Sequence, residues 1–388
     1  MFSSDFDRVL ITAAVEVPYR RQPTQRSTGE LLAQAFGLLL AQSGFSAKNI
    51  DGLGVASFTL GPDHAIDLAW RLGLSPRWCM DDCHGGASGI NLLQHAIRAI
   101  QHGDANVIAL VAGDQFQASD FTHLVENYNL TTRTWLRPLQ NGGPNGVFAM
   151  LTQRHAKRHG LTRADYGSIC VAQREWAAMN PDAVYRAPMS IDDYLAAPLV
   201  ADPLGRFDCV PVVNGANAIL LTRDDLARNV TNVRVRALKC LYNADHQEGD
   251  GLETSLKHIA GDLWRHAGAG PEDIDLASVY DDYPVMTLAQ LCDLGFAPEG
   301  DVHALIRRIA LHALPVNTSG GQLSVGQAGA AGGMHGLVEA ITQLQGNAGE
   351  RQVDDAKLAV VSGYGMVEYR FGMCANAVVL ERTTGGQR

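Results

Sequence analysis

Four short segments of the sequence contain residue types that could do chemistry. They are Cys83-His84, Tyr280-Asp281, Gln327 and Gly363-Tyr364-Gly365. A cysteine becomes a nucleophile where its thiolate is stabilised, for example at a helix N-terminus. A tyrosine hydroxyl can act as a general acid or base if its surroundings lower a pKa of about 10, whereas a glutamine amide donates a hydrogen bond but exchanges no proton. The residue types therefore allow either a cysteine nucleophile or proton transfer at a tyrosine.

A strand–turn–helix–strand unit that occurs twice must position these segments. In the first copy, residues 81–100 run through a turn of small residues into an apolar helix, and a buried-strand pattern follows at 107–113. In the second copy, residues 329–333 open a helix over 337–344, and strand 358–363 follows. A unit used twice predicts a duplicated α/β fold with a pseudo-twofold axis. Chance similarity of two helices rich in glycine and alanine is the alternative.

Further elements divide the chain near residue 230. We predict a buried strand over 8–15 that Pro18 ends, and a capping box formed by Ser27 and Glu30. The helix that follows should bury Leu31, Leu32, Ala35, Phe36, Leu38 and Leu39. Residues 116–202 interrupt the strand–helix rhythm, which restarts at strand 232–238 and helix 256–267.

The bulk composition fits a large α/β protein of a reducing compartment. The chain has 388 residues, 46% hydrophobic residues, 7% aromatic residues and 40 glycines. No apolar run is long enough to span a bilayer, and residues 1–7 lack the features of an export signal. The seven cysteines have no CxxC spacing, so we predict free cytosolic thiols and no metal site. A net charge of −10 argues against nucleic-acid binding, although local arginines such as those of Arg133–Arg137 would suffice for an anionic ligand.

The segments resemble the thiolase superfamily, in which a cysteine starts a buried helix. The resemblance extends over residues 80–113, 208–218, 280–283, 315–321 and 363–365, in family order. The most similar branch contains the lipid-transfer-protein (SCP-x-like) thiolases and the side-chain aldolases of bacterial steroid catabolism.

The resemblance implies a duplicated thiolase fold, with two βαβαβαββ halves in a five-layer αβαβα arrangement. The first half would cover residues 1–230, with an inserted loop subdomain at about 116–202, and the second half residues 231–388. The resemblance also implies a homodimer and a small zinc-ribbon plus OB-fold partner protein of the DUF35 type.

Three departures from the family pattern affect the chemistry. Aligning Gly86-Ala87-Ser88-Gly89 with the nucleophile motif puts Gly86 at the cysteine position. Cys83 lies three residues earlier, at a distance of up to about 10 Å, and would be a strand-end residue with a small buried thiol. Tyr280 replaces the histidine of the His-Asp-Cys-Phe motif, and Gln327 replaces the histidine of Gly-His-Pro-x-Gly. Ordinary thiolysis is therefore disfavoured.

The resemblance favours a C–C bond reaction in an acyl-CoA, namely retro-aldol cleavage of a β-hydroxyacyl-CoA with a bulky, for example steroid-like, acyl group. We expect the catalytic residues among Tyr280, Gln327, Tyr364, Cys83 and His84. The pocket residues should be Gly86, Asn317, Gly363, Gly365 and Asp281. No tightly bound cofactor is expected, since coenzyme A enters as part of the substrate. Two alternatives remain: an acyltransferase that uses Cys83, and a non-catalytic acyl-CoA-binding subunit.

Overall fold

The computed structural model describes most of the chain. The described residues are 6–22, 25–116, 118–127, 130–139, 143–227, 231–244, 249–368 and 371–383. The start of the N-terminal segment used in the export prediction (residues 1–5) and the predicted boundary at residue 230 lie outside them. In the described part of the chain, no helix is long and apolar enough to cross a membrane.

The described residues form eleven strands and twelve α-helices. The strands are β1 Val9–Arg20, β2 Gly52–Ala56, β3 Trp78–Asp82, β4 Val107–Asp114, β5 Leu199–Ala201, β6 Leu204–Gly205, β7 Asn214–Arg223, β8 Asn232–Tyr242, β9 Leu276–Val279, β10 Leu358–Glu368 and β11 Phe371–Thr383. The helices are α1 Thr28–Ser43, α2 His64–Arg71, α3 Ser88–His102, α4 Ala118–Glu126, α5 Pro144–His159, α6 Arg163–Ala178, α7 Ile191–Ala196, α8 Leu256–Ala267, α9 Pro284–Asp293, α10 Val302–Ala310, α11 Gly321–Val325 and α12 Gly332–Leu344.

Two similar sets of strands form one long sheet, in the order β3-β2-β4-β7-β1-β8-β11-β10-β9. In the first set, β4 lies parallel to β2 and antiparallel to β7. In the second set, β10 lies parallel to β9 and antiparallel to β11. Within the described ranges, the residue pair Ile11 and Val233 joins the sets through β1 and β8. The predicted duplication is therefore confirmed.

The second half differs from the first at one strand. Beyond β9, where the first half has β3, the second half has only an isolated bridge between Ala277 and Val316. The βαβαβαββ pattern is thus complete in the first half, and its third strand is reduced to this bridge in the second.

Three core clusters define five layers. Helices α1 and α2 bury apolar side chains against one face of the first set of strands, and α8 and α9 do the same for the second set. Helices α3 and α12 pack between the two sets. Both faces of strand β4 are buried in this arrangement. Ile108, Leu110 and Ala112 point to the middle layer, and the alternate residues point to the outer helices. This is the predicted αβαβα arrangement.

Several predicted elements agree with the structure and two details do not. The Ser27–Glu30 capping box and helix Leu256–Ala267 are confirmed. Strand β1 does not end at Pro18 but continues to Arg20. The register with β7 shifts between Val17 and Arg20, so the missing proline N–H falls at an irregular pairing. Leu38 is 40% exposed and lies outside the apolar face of α1.

An insertion between β4 and β7 contains α4–α7 and the two-stranded β5–β6 sheet. It occupies the region where the sequence predicts a loop subdomain at about 116–202. The bounds of that subdomain and of the two halves remain predictions.

Helices α3 and α12 approach closely because small residues face each other at their N-terminal ends. A Cβ added to Gly89 would lie 2.2 Å from the carbonyl oxygen of Gly333. A Cβ added to Gly333 would lie 2.6 Å from the carbonyl oxygen of Gly85. These contacts fix the position of the turn before α3 relative to the second half.

We predict that Gly89→Ala lowers the free energy of unfolding by about 1–3 kcal/mol, because the added methyl group meets a backbone atom that no rotamer change can move. Chemical denaturation with urea measures the loss. The control is Gly37→Ala in α1, where an added Cβ has no atom within 4 Å. This substitution should be neutral or stabilising by up to about 1 kcal/mol. Equal midpoints for Gly89→Ala and the wild type would contradict the close helix contact.

Candidate active site

A cavity of about 710 Å³ lies between the insertion and the ends of the central elements. Its inner wall is formed by the turn before α3 and by residues that follow β9 or end β10: Gly85, Gly86, Tyr280, Asp282, Tyr283, Tyr364 and Gly365. The insertion supplies the outer wall, which includes Val125, Leu136, Arg137 and Phe148. The outer wall thus combines apolar side chains with the charged pair Glu126 and Arg137, and the inner end carries hydroxyl, amide and carboxyl groups.

Tyr280 and Gln327 form a hydrogen-bonded pair in this lining. The Gln327 Nε2 atom donates to the Tyr280 hydroxyl oxygen at 2.6 Å. The backbone of Gln327 is itself held, because its N–H donates to Pro211 and its carbonyl accepts from Val213. The Tyr280 carbonyl accepts from the Gln290 amide at 2.7 Å. The phenol group therefore has a fixed position in the cavity wall.

The ring of Tyr280 occupies the space next to Gly86, the residue at the nucleophile position. A Cβ at Gly86 would lie 2.4 Å from Cε2 and 2.5 Å from Cζ of Tyr280. It would also lie 2.3 Å from the carbonyl oxygen of Tyr364. A cysteine at position 86 is therefore incompatible with this arrangement of Tyr280.

Tyr364 and Asp282 form a second pair beside the first. The Tyr364 hydroxyl donates to Asp282 Oδ1, and its ring lies edge-on to Tyr280 with centroids 5.1 Å apart. Burial raises the pKa of Asp282 to about 8, helped by the charge of Asp281 and opposed by the hydrogen bond from Tyr364. Burial also holds the pKa of Tyr364 well above its ordinary value. Tyr364 is therefore a hydrogen-bond donor near neutral pH.

Asp282 is not among the residues that the sequence predicts for the site. It follows Asp281 directly, but the two carboxyl groups point in different directions. Asp281 accepts hydrogen bonds from the backbone N–H groups of Gln322 and Leu323. Two consecutive buried acids after a strand were the available signal, but the sequence does not show which one faces the cavity.

Two of the five predicted pocket residues line the cavity, and three lie behind the lining. Gly86 and Gly365 line the cavity. Asp281, Asn317 and Gly363 do not line it but hold the backbone around it. Asn317 Oδ1 accepts from the Val279 N–H at 2.8 Å, and a Cβ at Gly363 would lie 2.5 Å from the Gly86 carbonyl oxygen.

Cys83 and His84 lie just after β3 and do not line the cavity. The predicted buried thiol is wrong, because Cys83 is exposed. It lies one residue beyond the end of β3. His84 Nδ1 lies 3.0 Å from Asp82 Oδ2, and the His84 ring is 5.6 Å from that of Tyr242. Neither residue therefore lines the cavity together with the Tyr280–Gln327 and Tyr364–Asp282 pairs.

Cys209 lines the cavity, although it is not among the residues that the sequence predicts for the site. Burial raises the pKa of its thiol to about 12, with further contributions from the charges of Asp208 and Asp282. The thiol is therefore protonated near neutral pH and lacks the thiolate that nucleophilic attack needs. In the described ranges, no three histidine, cysteine, aspartate or glutamate side chains converge as metal ligands would.

The insertion contains one arginine of the predicted basic segment that lines the cavity and, close to lining residues in sequence, several exposed apolar residues. Arg137 lines the cavity and pairs with Glu126 at 3.6 Å. Leu130, Trp135 and Leu139 are 75%, 62% and 75% exposed. We call these three residues the apolar rim.

Comparisons with known proteins place this chain in one family. The thiolase C-terminal domain-like family matches residues 240–381. The chain is 31% identical to a 17-hydroxy-3-oxo-4-pregnene-20-carboxyl-CoA lyase of Mycobacterium tuberculosis over 88% of this chain and 92% of that protein. It is 25% identical to a steroid side-chain-cleaving aldolase of Thermomonospora curvata over 88% and 91%.

Two solved structures have the same fold. The Ltp2-ChsH2(DUF35) aldolase superposes with a TM-score of 0.82 at 22% identity and full coverage of both chains. A monomeric SCP2-thiolase like protein type 1 of Mycobacterium smegmatis gives 0.70 at 16% identity, covering 97% of this chain and 78% of that one.

The fold and the site define a thiolase-fold protein without a cysteine at the start of the buried helix. The chain belongs to the thiolase superfamily, in the SCP-x-like branch with the side-chain aldolases. The resemblance drawn from the sequence is confirmed.

We predict that iodoacetamide at neutral pH modifies Cys83 and leaves turnover of an acyl-CoA substrate intact. Cys83 is exposed but outside the cavity, and the Cys209 thiol is protonated. Mass spectrometry of the labelled peptides, together with residual activity, measures both effects. Cys83→Ser is the control and should keep its activity with or without the reagent. Stoichiometric loss of activity with the label on Cys83 would instead support the nucleophilic alternative.

Proposed function

We propose that the protein cleaves a β-hydroxyacyl-CoA by a retro-aldol reaction without a cysteine nucleophile. The observation that carries this proposal is the Tyr280 ring beside Gly86, with its hydroxyl bonded to Gln327 in the cavity wall. A phenol stands where a thiolase would extend its nucleophile, so proton transfer replaces acyl transfer. The names of the lyase and aldolase relatives support the same reaction class.

The reaction requires two proton movements. A base takes the proton of the β-hydroxyl group, and the O–H electron pair forms the carbonyl bond of a ketone. The electron pair of the Cα–Cβ bond passes to the thioester as an enolate. Tyr280 donates a proton to the enolate carbon, while Gln327 fixes the position of its hydroxyl group. No acyl-enzyme forms, and coenzyme A takes part only as a portion of the substrate.

The cavity favours a bulky apolar acyl group. Its outer wall includes Val125, Leu136 and Phe148, and Arg137 supplies a positive charge for the coenzyme A portion. A suitable probe is the thioester in the name of the mycobacterial relative, 17-hydroxy-3-oxo-4-pregnene-20-carboxyl-CoA. Retro-aldol cleavage of this compound at the hydroxyl-bearing ring carbon would give a ring ketone and propionyl-CoA.

We predict that Tyr280→Phe lowers kcat by about 10²–10⁴-fold on this probe, the usual size of general acid–base catalysis. The ring remains, so affinity for propionyl-CoA should be unchanged. Loss of one buried hydroxyl should cost about 1 kcal/mol of stability. Chromatographic measurement of propionyl-CoA gives kcat, and a thermal melt gives the stability.

The matched control is Tyr166→Phe, which removes a buried hydroxyl that lies 2.9 Å from His155 Nδ1, outside the cavity. It should show the stability loss with normal turnover. If Tyr280→Phe behaves like this control, Tyr280 is a structural residue.

The acyltransferase alternative needs Cys83, which does not line the cavity. The alternative of a non-catalytic subunit predicts that the wild type binds acyl-CoA without releasing propionyl-CoA. The same assay therefore separates the proposed lyase from this alternative.

A homodimer and a DUF35-type partner complete the proposal. Strand β3 ends the sheet and pairs only with β2 in the described part of the chain. Helix α2 packs against β3 and exposes Ile66 and Trp70, at 66% and 78%. These features suit pairing with a second copy through β3. The apolar rim, three exposed residues of the insertion, suits the partner protein, and one solved relative is described with a DUF35 component. Seven free cysteines support a reducing, cytoplasmic location.

We predict that light scattering of the purified chain gives twice the chain mass. Co-expression with a DUF35-type protein should give a larger complex that Trp135→Glu weakens, because the charge enters an apolar contact. Leu311→Glu is the control, since Leu311 is 77% exposed in the second half. A monomer at micromolar concentration would contradict the dimer. Equal complex formation by both variants would contradict the rim as the partner surface.

A further inference from the structure

The cavity contains a carboxyl group, and the proposed reaction needs a base that Tyr280, Tyr364 and Gln327 do not supply. Asp282 lines the cavity two residues after Tyr280, is 8% exposed and accepts a hydrogen bond from Tyr364. A buried carboxyl group without a basic partner is costly to keep ionised. Among the described residues, no salt bridge joins Asp282 to an arginine, lysine or histidine. Such a group in a substrate cavity points to a role in proton transfer.

The other titratable groups of the lining are less suited to act as the base. Tyr283 and Tyr364 have pKa values well above the ordinary value, and the Cys209 pKa is about 12, in each case chiefly through burial. Glu126 is paired with Arg137 in the outer wall, where its side chain is 48% exposed. Gln327 does not titrate. Asp282 is the remaining acid at the polar inner end.

We propose that Asp282 is the general base that accepts the β-hydroxyl proton of the substrate. This inference rests on the proposed retro-aldol function and assigns the base that the function requires. As the Cα–Cβ bond breaks, the proton passes from the β-hydroxyl oxygen to the Asp282 carboxylate. The enolate takes its proton from Tyr280, and transfer of the proton from Asp282 to the Tyr280 phenolate restores both groups. The net change is one proton moved from oxygen to carbon within the substrate.

Tyr364 is a positioning residue in this scheme. Its hydroxyl donates to Asp282 Oδ1 and favours the ionised carboxylate. The groups that face Asp282 are Asp281, which raises its pKa, and Tyr283, Cys209 and Tyr364, whose own pKa values its charge raises. None of these neighbours carries a positive charge. Hydrogen bonds favour ionisation instead, chiefly the one from Tyr364 and also those from the backbone N–H groups of Tyr283 and Asp282.

We predict that kcat/KM of the wild type on the pregnene-carboxyl-CoA probe rises with pH up to about 8 and then levels, because the base must be ionised and the pKa of Asp282 is about 8. Asp282→Asn should lower kcat by about 10²–10⁴-fold and remove this dependence. Affinity for propionyl-CoA, measured by calorimetry, should be unchanged. Tyr364→Phe should move the rise to higher pH, because the lost hydrogen bond had lowered the pKa of Asp282.

The matched control is Asp293→Asn, at a second buried acid whose pKa burial raises to about 7. Asp293 accepts from Thr254 and does not line the cavity, so its variant should keep the wild-type pH profile. Asp282→Asn should fold. A carboxyl group whose pKa is raised in the folded state lowers the free energy of unfolding of the protein as pH rises toward that pKa, whereas an amide has no such effect.

The outcomes separate the two proposals. A wild type that releases no propionyl-CoA overturns the retro-aldol function. If the wild type releases propionyl-CoA and Asp282→Asn is equally active and equally dependent on pH, only the role of Asp282 is overturned. An unmoved profile in Tyr364→Phe would also count against that role.

Discussion

The contact between Gly86 and the ring of Tyr280 is the constraint on which the site depends. A side chain at position 86 and a tyrosine ring at position 280 cannot share the space between α3 and β9. Once the ring is there, the helix N-terminus has no nucleophile to activate. The proposed mechanism therefore uses the phenol, its glutamine partner and the neighbouring Asp282. One packing contact thus excludes a side chain at position 86 and places the phenol in the cavity wall.

The two halves of the fold must keep a fixed distance for this contact to exist. Gly89 and Gly333 let α3 and α12 touch, which places the turn before α3 against the end of β10. Asp114 at the end of β4 also connects the two halves. It accepts from the N–H groups of Phe58 and Thr59 in the first half and from that of Ala330 in the second half. Phe58 lines the cavity, so the same carboxylate fixes part of its wall.

Sequence patterns predicted the repeated architecture because each unit has its own caps, glycine turns and apolar periodicity. They predicted Tyr280, Gln327 and Tyr364 as candidates because those residues lie in family motifs. The structure alone shows the direction of Asp282, since neighbouring residues after a strand turn to opposite sides. It also shows that Cys83 is exposed, because the burial of a residue beyond a strand end depends on tertiary packing. Neither fact has a local sequence signal.

In the proposed mechanism, a phenol and a buried carboxyl group have complementary proton chemistry. A tyrosine of ordinary pKa is protonated near neutral pH and can act as an acid, but it is a poor base. A buried carboxyl group with a pKa near neutrality has the complementary property, since it is readily ionised and readily protonated. Division of the two proton movements between a phenol and a carboxyl group needs no imidazole. The proposed division is consistent with the absence of histidine at positions 280 and 327, where the family pattern would place it.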